Sequence, residues 1–387
     1  MTVCCACCVC CNVCVLCLTH MHQNKNKMYS CFVDFKKAFD SIWHEGLFCQ
    51  LLESGIGGKT YDLIKTMYLN NKCAIKIGNK RTNYFKQYRG VKQGCNLSPS
   101  LFNIYINKLA ELLQQSTAPG VTLQDTVVKC LMFADDLVLL STSKEGLQQL
   151  LDILHKFSQT WALTINMEKT RILIFQNRSN SQKNTFTLGH TEIEHTKHYT
   201  YLGLTINSTG HLKLAVNELK EKARRAFYAI KRKIPIDLPI RTWLKILNSV
   251  IDPIMLYGSE VWGPLTSQDL PKWEKHLLEA LHADTVHRHT ANNACRAELG
   301  QYPLIIKIQR RAIKFYKHLQ SSDPHSYQYK ALQCHELNKD QSPLCQLLLK
   351  LCPHTPKTIW LNQIISKQKD DIVCILNIKI KQIFKIK

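Results

Sequence analysis

Acidic side chains are scarce in this sequence. Twenty-nine Asp and Glu stand against 51 Lys and Arg, so the 387 residues carry a net charge of +22. With so few carboxylates to neutralise it, the surplus attracts polyanions. Nucleic acid is the usual one, because binding releases its counterions. The plainer reading, a basic protein that is merely soluble, is the weaker one at this charge. Long apolar runs are also missing. Val3–Leu18 is almost wholly apolar, yet it falls short of the roughly 20 residues a membrane span needs. No Lys or Arg precedes it, which makes it a poor secretory signal. Paired cysteine spacing is absent from the ten cysteines between Cys31 and Cys374, as expected of reduced thiols inside a cell rather than a secreted framework. No internal repeat is present.

What is there begins with cysteine. Eight of the 18 lie between Cys4 and Cys17. Cys5 and Cys8, and Cys11 and Cys14, have the spacing of zinc ligands, and His20 and His22 follow. The residues between them are Val, Ala and Leu, with no Gly or Pro to shape a ligand loop. A low-complexity extension over residues 1–27 is favoured over a metal site or a membrane anchor. Hydrophobic residues make up 45% of the chain, an ordinary share for globular domains, and the length allows two or three of them.

Ordered structure is expected from about Met28. Tyr29–Val33 reads as a buried strand. Helices are expected over Ser41–Leu52, ended by Gly55, Gly57 and Gly58, then over Tyr61–Tyr68 and Leu101–Gln114. Ala74–Ile77 alternates like a strand, and the turn signal Gly78-Asn79 makes Thr82–Tyr88 its hairpin partner. Val127–Phe133 and Leu137–Leu140 are apolar runs separated by Ala134-Asp135-Asp136, a hairpin with adjacent carboxylates at its tip. A helix follows from Lys144 to Trp161, started by the capping box Thr142–Glu145. Strands are expected at Arg171–Phe175 and Tyr199–Ile206. Leu212–Lys233 reads as an amphipathic helix with eight basic residues against Glu218 and Glu221. Pro235 and Pro239 end it, and helices continue to about Leu351. The tail, Asn377–Lys387, alternates apolar and basic residues.

An Asp-Asp turn is usually only a turn. Here both flanking strands are apolar, so the hairpin belongs in a sheet core and its tip at a rim. The strand ending at Asp34 could lie beside it and add a third carboxylate. Such a cluster repels itself unless a cation sits within it. Hard oxygen donors select Mg²⁺. Two ions about 3.5–4 Å apart can stabilise the attacking and leaving oxygens of a phosphoryl displacement. Polymerase and nuclease both fit this chemistry, and the hairpin tip favours polymerase.

Five segments carry a resemblance. Phe32–Asp40 resembles the first catalytic motif of LINE-type reverse transcriptases, and Arg89–Pro99 their Gln-Gly/Ser-Pro motif. Phe133–Asp136 resembles their Phe-Ala-Asp-Asp box, Leu163–Thr170 the motif after it, and Tyr201-Leu202-Gly203 the primer grip. The likeness covers about residues 28–265, and more loosely Cys295–Leu304.

The resemblance implies an α+β fold: a polymerase palm, an antiparallel sheet backed by helices, over residues 28–206. An α-helical thumb over 207–265 and a helical C-terminal region over 266–387 would follow. It implies RNA-directed DNA polymerase activity with two Mg²⁺ held by Asp34, Asp135 and Asp136, the last usually the least directly involved. Phe39 matches a steric gate that admits deoxynucleotides. Gln93 and Gly94 match residues of the nucleotide and template site, and Ser98 and Pro99 match positions near the template. Lys169 matches a lysine that aids pyrophosphate departure, and Lys222, Arg224 and Arg225 would hold duplex phosphates. The implied partners are an RNA template, a DNA primer and deoxynucleoside triphosphates, with no obligate protein partner and no membrane, in the nucleus or cytoplasm.

Two departures matter. Only 33 residues precede Asp34, too few for the fingers region of the family, so the expectation is that the fingers and the usual endonuclease domain are missing. Asn96 also stands where Pro is common. The expectation is a chain truncated at its N-terminus and weak or inactive on its own, since lost positioning costs orders of magnitude in rate. The alternatives are a non-catalytic palm–thumb remnant that grips nucleic acid, and a membrane-tethered derivative using residues 3–18.

Overall fold

The computed structural model describes residues 27–176, 184–234, 238–263, 304–337 and 345–346. The Cys-rich run, His20 and His22, Pro235, residues 295–303 and the tail from Asn377 lie outside the described residues. The chain divides into two units, one built around Gln23–Tyr199 and the other around Thr200–Lys387.

In the first unit, β1 (Met28–Val33) is a wholly apolar and aromatic strand apart from Ser30, and it runs through the middle of a sheet. The chain then forms α1 (Ala38–Ser41), α2 (His44–Glu53) and α3 (Gly58–Leu69). The single helix expected over Ser41–Leu52 is therefore broken. Ile42 is extended at the break, and its carbonyl accepts from the Gly90 amide at 2.8 Å. Phe39 O likewise accepts from the Val91 amide at 2.8 Å, and Trp43 bridges to Arg89. Pairing with this loop outcompetes one more helical turn.

The expected hairpin after Ala74 is two short ladders, not one. Here β2 (Lys72–Cys73) pairs with β5 (Phe85–Lys86), and β3 (Lys76–Ile77) with β4 (Lys80–Arg81). Helix α4 (Ser98–Gln115) follows, with Pro99 in its first turn, where a missing N–H costs nothing. Its C-terminal carbonyls at Gln114 and Ser116 accept from the ammonium of Lys129, which is only 7% exposed. That is where a cation is favoured by the helix dipole.

The strands β6 (Val121–Leu123) and β7 (Thr126–Val128) form a small hairpin, and β8 (Cys130–Phe133) and β9 (Asp136–Ser141) a larger one. Helix α5 (Lys144–Thr160) is capped one residue later than expected: Ser143 Oγ accepts from the Gly146 amide at 3.0 Å. After β10 (Arg171–Phe175) come β11 (Thr187–Leu188), β12 (Thr191–Glu192) and β13 (His195–Thr196).

The main sheet has the order β13-β10-β1-β9-β8. It is antiparallel except at one edge, where β13 runs parallel to β10. The β11–β12 hairpin reverses the chain once more before it reaches that edge, which corrects the expectation of a purely antiparallel sheet. Alternate sheet residues (Cys31, Val33, Leu137, Leu139, Ile172) pack against Leu47, Phe102, Tyr105, Leu150 and Leu154 of the helices. This is the period of two that a half-covered sheet requires. A one-residue slip would turn every one of these side chains away from the helices.

The expected strand Tyr199–Ile206 is a hairpin, β14 (His198–Tyr201) and β15 (Leu204–Asn207). Leu202 and Gly203 both take positive φ (46° and 81°), as a tight two-residue hairpin turn demands. In the second unit, α6 (Lys213–Lys233) buries Ala215, Val216, Leu219, Ala223 and Phe227 along one stripe. Shorter helices α7 (Ile240–Ile246), α8 (Asp252–Met255) and α9 (Ser259–Trp262) precede α10 (Leu304–Gln320) and α11 (Tyr327–Leu337). Lys307 of α10 reaches Asp252 at 2.6 Å. Among the described residues, no helix is long and apolar enough to cross a membrane.

Candidate active site

The site is built by strand register. β1 pairs with β9 so that Val33 faces Leu137. Continuing that register by one residue brings Asp34 level with Asp136, the first residue of β9. On its other side β1 pairs with β10 so that Phe32 faces Arg171, and Lys169, two residues before β10, reaches Asp34 as an ion pair. Phe133 pairs with Asp136, leaving Ala134-Asp135 as a two-residue loop. Ala134 takes φ 51°, which hairpin loops of this length require at their first position. Left-handed backbone at a residue with a Cβ costs about 1–2 kcal/mol. The tip that carries Asp135 is therefore held by the sheet against local preference.

Asp34 lies at the centre of a small network. Its Oδ2 accepts from Asn166 Nδ2 at 2.9 Å and stands 3.8 Å from Lys169 Nζ. Its amide donates to Thr170 Oγ1 at 3.3 Å, and its carbonyl accepts from the Asn166 amide at 2.7 Å. Lys169 is 68% exposed, a solvent-facing cation beside a carboxylate that is only 25% exposed. The Asp136 carboxyl is pushed up to about 6, first by burial and then by the charges of Asp135 and Asp34, against the pull of Lys169. Three carboxylates thus share one rim closely enough to raise a proton affinity. A hard divalent cation would relieve the same repulsion, and the donors are the all-oxygen set such a cation takes. Among the described residues, no three His, Cys, Asp or Glu side chains stand so that they could hold a metal ion as they are, the three rim aspartates included. Asn166 Oδ1 is buried with no hydrogen-bond partner, an acceptor left over beside Asp34.

The remaining expected residues divide sharply. Phe39 of α1 is half-buried and its ring stacks on Phe102, centroids 4.9 Å apart, so it is held firmly just beyond Asp34. Gln93 is exposed and donates to Asp40 Oδ1 at 2.8 Å, which joins its loop to the segment that carries Asp34 and Phe39. Gly94 takes φ +79°, and a Cβ there would meet open space. Backbone conformation, not crowding by the protein, calls for glycine at that position. Ser98 is 2% exposed and its Oγ donates to Lys92 O at 2.5 Å, so its hydroxyl closes the Gln93–Gly94 loop from inside. Pro99 is exposed. In the second unit, Lys222, Arg224 and Arg225 all lie on the exposed face of α6. Arg224 is tied to Glu221 through Nε at 3.0 Å and Nη2 at 2.8 Å.

Sequence reasoning passed over four residues. Asn166 and Thr170 lie within the motif around Lys169, and their signal was that spacing alone. Tyr199 gave no signal. Its ring stacks on Phe32 at 4.4 Å, and its hydroxyl is pushed up to about 12 by burial first and then by Asp136 and Asp34. Gly90 belongs with them. At φ +87° a Cβ would stand 2.8 Å from Asp40 O, so only glycine lets the loop lie against that backbone.

Residues 7–206 match the family described as "Reverse transcriptase (RNA-dependent DNA polymerase)". The chain is 25% identical over 276 residues to the RNA-directed DNA polymerase from mobile element jockey of Drosophila melanogaster, covering 69% of this chain and 29% of that protein. It is 30% identical over 199 residues to the retrovirus-related Pol polyprotein from the type-1 retrotransposable element R2 of Nasonia vitripennis, covering 49% of this chain and 19% of that one. The chain therefore spans less than a third of the length of these two curated relatives. Among solved structures, apo telomerase from Candida tropicalis matches 86% of this chain and 50% of its own at 13% identity, with a TM-score of 0.40.

Proposed function

This chain belongs to the reverse transcriptase (RNA-dependent DNA polymerase) family, its relatives being polymerases of non-LTR retrotransposons, and we propose that it adds deoxynucleotides to a DNA primer along an RNA template. The observation that carries the proposal is the strand register that sets Asp34 level with Asp136, with Lys169 Nζ 3.8 Å from the Asp34 carboxylate. Asp34, Asp135 and Asp136 would hold two Mg²⁺ ions, which when bound lower the cost of the charge on the attacking and leaving oxygens. The primer 3′-hydroxyl gives up its proton to solvent, its oxygen bonds to the α-phosphorus of the incoming triphosphate, and the bond from that phosphorus to pyrophosphate breaks. Lys169, exposed and tethered only loosely to Asp34, gives a charge or a proton to the departing pyrophosphate. Asn166 and Thr170 fix the Asp34 backbone and carboxylate.

Phe39, held by Phe102, would exclude a 2′-hydroxyl. The open space before Gly94 leaves room for the nucleotide and template, with Gln93 beside it and Pro99 near the template strand. Ser98 would act by holding that loop. Residues 28–206 would form the palm, 207–265 the thumb and 266–387 a helical C-terminal region. Lys222, Arg224 and Arg225 would lie along duplex phosphates, and the chain would work in the nucleus or cytoplasm. The test is primer extension on poly(rA)/oligo(dT) with Mg²⁺. DNA synthesis abolished by Asp135→Ala supports the reading. Synthesis that survives Asp135→Ala overturns it. Robust synthesis would overturn the separate expectation that the chain on its own is weak or inactive.

A further inference from the structure

We infer that the ribbon of residues 72–88 is a binding surface for a single strand of RNA, separate from the carboxylate rim. Its apolar residues point outward. Ile77 is 72% exposed, Tyr84 68%, Phe85 49% and Tyr88 71%. Globular proteins rarely leave such side chains grouped in water without a use for them. The charge on the same ribbon has one sign. No Asp or Glu occurs between Asp62 and Glu111, and the ribbon itself carries five Lys and Arg.

Those charges are arranged against the ribbon's own stability. Lys72 faces Lys86 across one ladder, and Lys76 faces Arg81 across the other. Like charges directly opposite each other destabilise a strand pair. A polyanion along the ribbon would convert both repulsions into attractions. Lys86 Nζ already lies 5.4 Å from the centre of the Tyr88 ring, so base-stacking and phosphate-binding groups are interleaved at the spacing of one residue. Exposed rings between cations describe a platform on which successive bases stack while the backbone lies on the lysines. Such a platform tolerates any sequence, because every base has a π-face.

The ribbon also leads into the site. Gln87 donates to Arg89 O at 2.8 Å, Trp43 bridges to Arg89, and Gly90 and Val91 pair with the backbone of Ile42 and Phe39. A strand stacked on Tyr84 and Tyr88 would therefore pass close to the Gln93–Gly94 loop. The choice of RNA over DNA rests on the proposed function, since the strand to be copied is the one that stays single until it is copied. The platform itself rests on exposure and charge alone.

The experiment is fluorescence anisotropy of the full chain with a labelled pyrimidine RNA of about 12 nucleotides, within the footprint of stacking platforms. The double variant Tyr84→Ala/Tyr88→Ala is expected to weaken binding by about 30-fold, as loss of a stacked base or two does. Tyr84→Phe/Tyr88→Phe keeps the rings and should bind within about twofold of the parent, which separates lost stacking from lost folding. Lys80→Gln/Arg81→Gln should flatten the dependence of log affinity on log salt by about 1.4. Unchanged RNA affinity in the double alanine variant overturns the inference. So does equal loss in the Phe variant, or a loss confined to single-stranded DNA or to duplex. Primer extension by the parent chain is scored separately. If extension fails while the ribbon variants lose RNA, the polymerase reading falls and the platform stands. If extension succeeds while they bind as the parent does, the reverse holds.

Discussion

The carboxylate rim and the basic helix α6 both gather charge, by opposite means. At the rim, three like charges are brought together by the pairing of strands whose apolar faces are covered, and the proton affinity of Asp136 is raised first by burial and then by Asp135 and Asp34. On α6 the basic residues stand in water on the outer face of a helix fixed by Ala215, Leu219, Ala223 and Phe227. Register cannot be adjusted by a fraction of a residue, so the rim is all-or-none. Exposed charges act together through a screened field, so the helix is graded. A site of chemistry needs the first kind of construction, and a surface that holds phosphates needs only the second.

The contrast can be broken by substitution. The largest effect is expected for Asp135→Ala, with primer extension falling by about a thousandfold or more, in line with the loss of a preorganised charge at a reacting centre. A graded loss of about tenfold would put the rim in the same class as the helix. Next is Gly90→Ala. A Cβ 2.8 Å from Asp40 O at φ +87° should cost about 2–4 kcal/mol, read as a shift in the urea midpoint at constant slope. A smaller shift would mean that the loop yields and that Phe39 and Gln93 are not held as described.

Asn166→Ala removes the side-chain donor to Asp34 and should lower extension by about tenfold, the scale of one hydrogen bond to a charged group. The smallest loss belongs to Lys222→Gln/Arg225→Gln. Duplex affinity should fall severalfold at low salt, and the dependence of log affinity on log salt should flatten by about 1.8. Losing duplex binding altogether would show that α6 is as exacting as the rim.

Much of this was legible in the residues. β1, α4, α5, β10 and α6 follow from apolar periodicity that nothing nearby contests. Asp34, Asp135, Asp136 and Lys169 were singled out because each sits in a segment whose pattern is specific. What escaped was decided by partners distant in sequence. The helix expected over Ser41–Leu52 breaks because Ile42 and Phe39 pair with Gly90 and Val91. The edge strand β13 runs parallel to β10, a choice that no local pattern records. Ser98 is a loop anchor because its hydroxyl finds Lys92 O, and Tyr199 reaches the rim only through its stack on Phe32. The reading of Ile75 and Tyr84 as parts of one hairpin missed the ribbon, because two two-residue ladders leave too short a pattern for alternation to reveal.

The central claim is that Asp34 and the Asp135–Asp136 pair bind one cluster of divalent cations. Titration of the full chain with Mn²⁺ in place of Mg²⁺, followed by electron paramagnetic resonance with a deoxynucleoside triphosphate present, tests it without requiring turnover. The account predicts that Asp34→Asn and Asp135→Asn each weaken Mn²⁺ binding by about tenfold or more, the scale of one lost charged ligand. Equal Mn²⁺ affinity in the parent chain and both variants would contradict it.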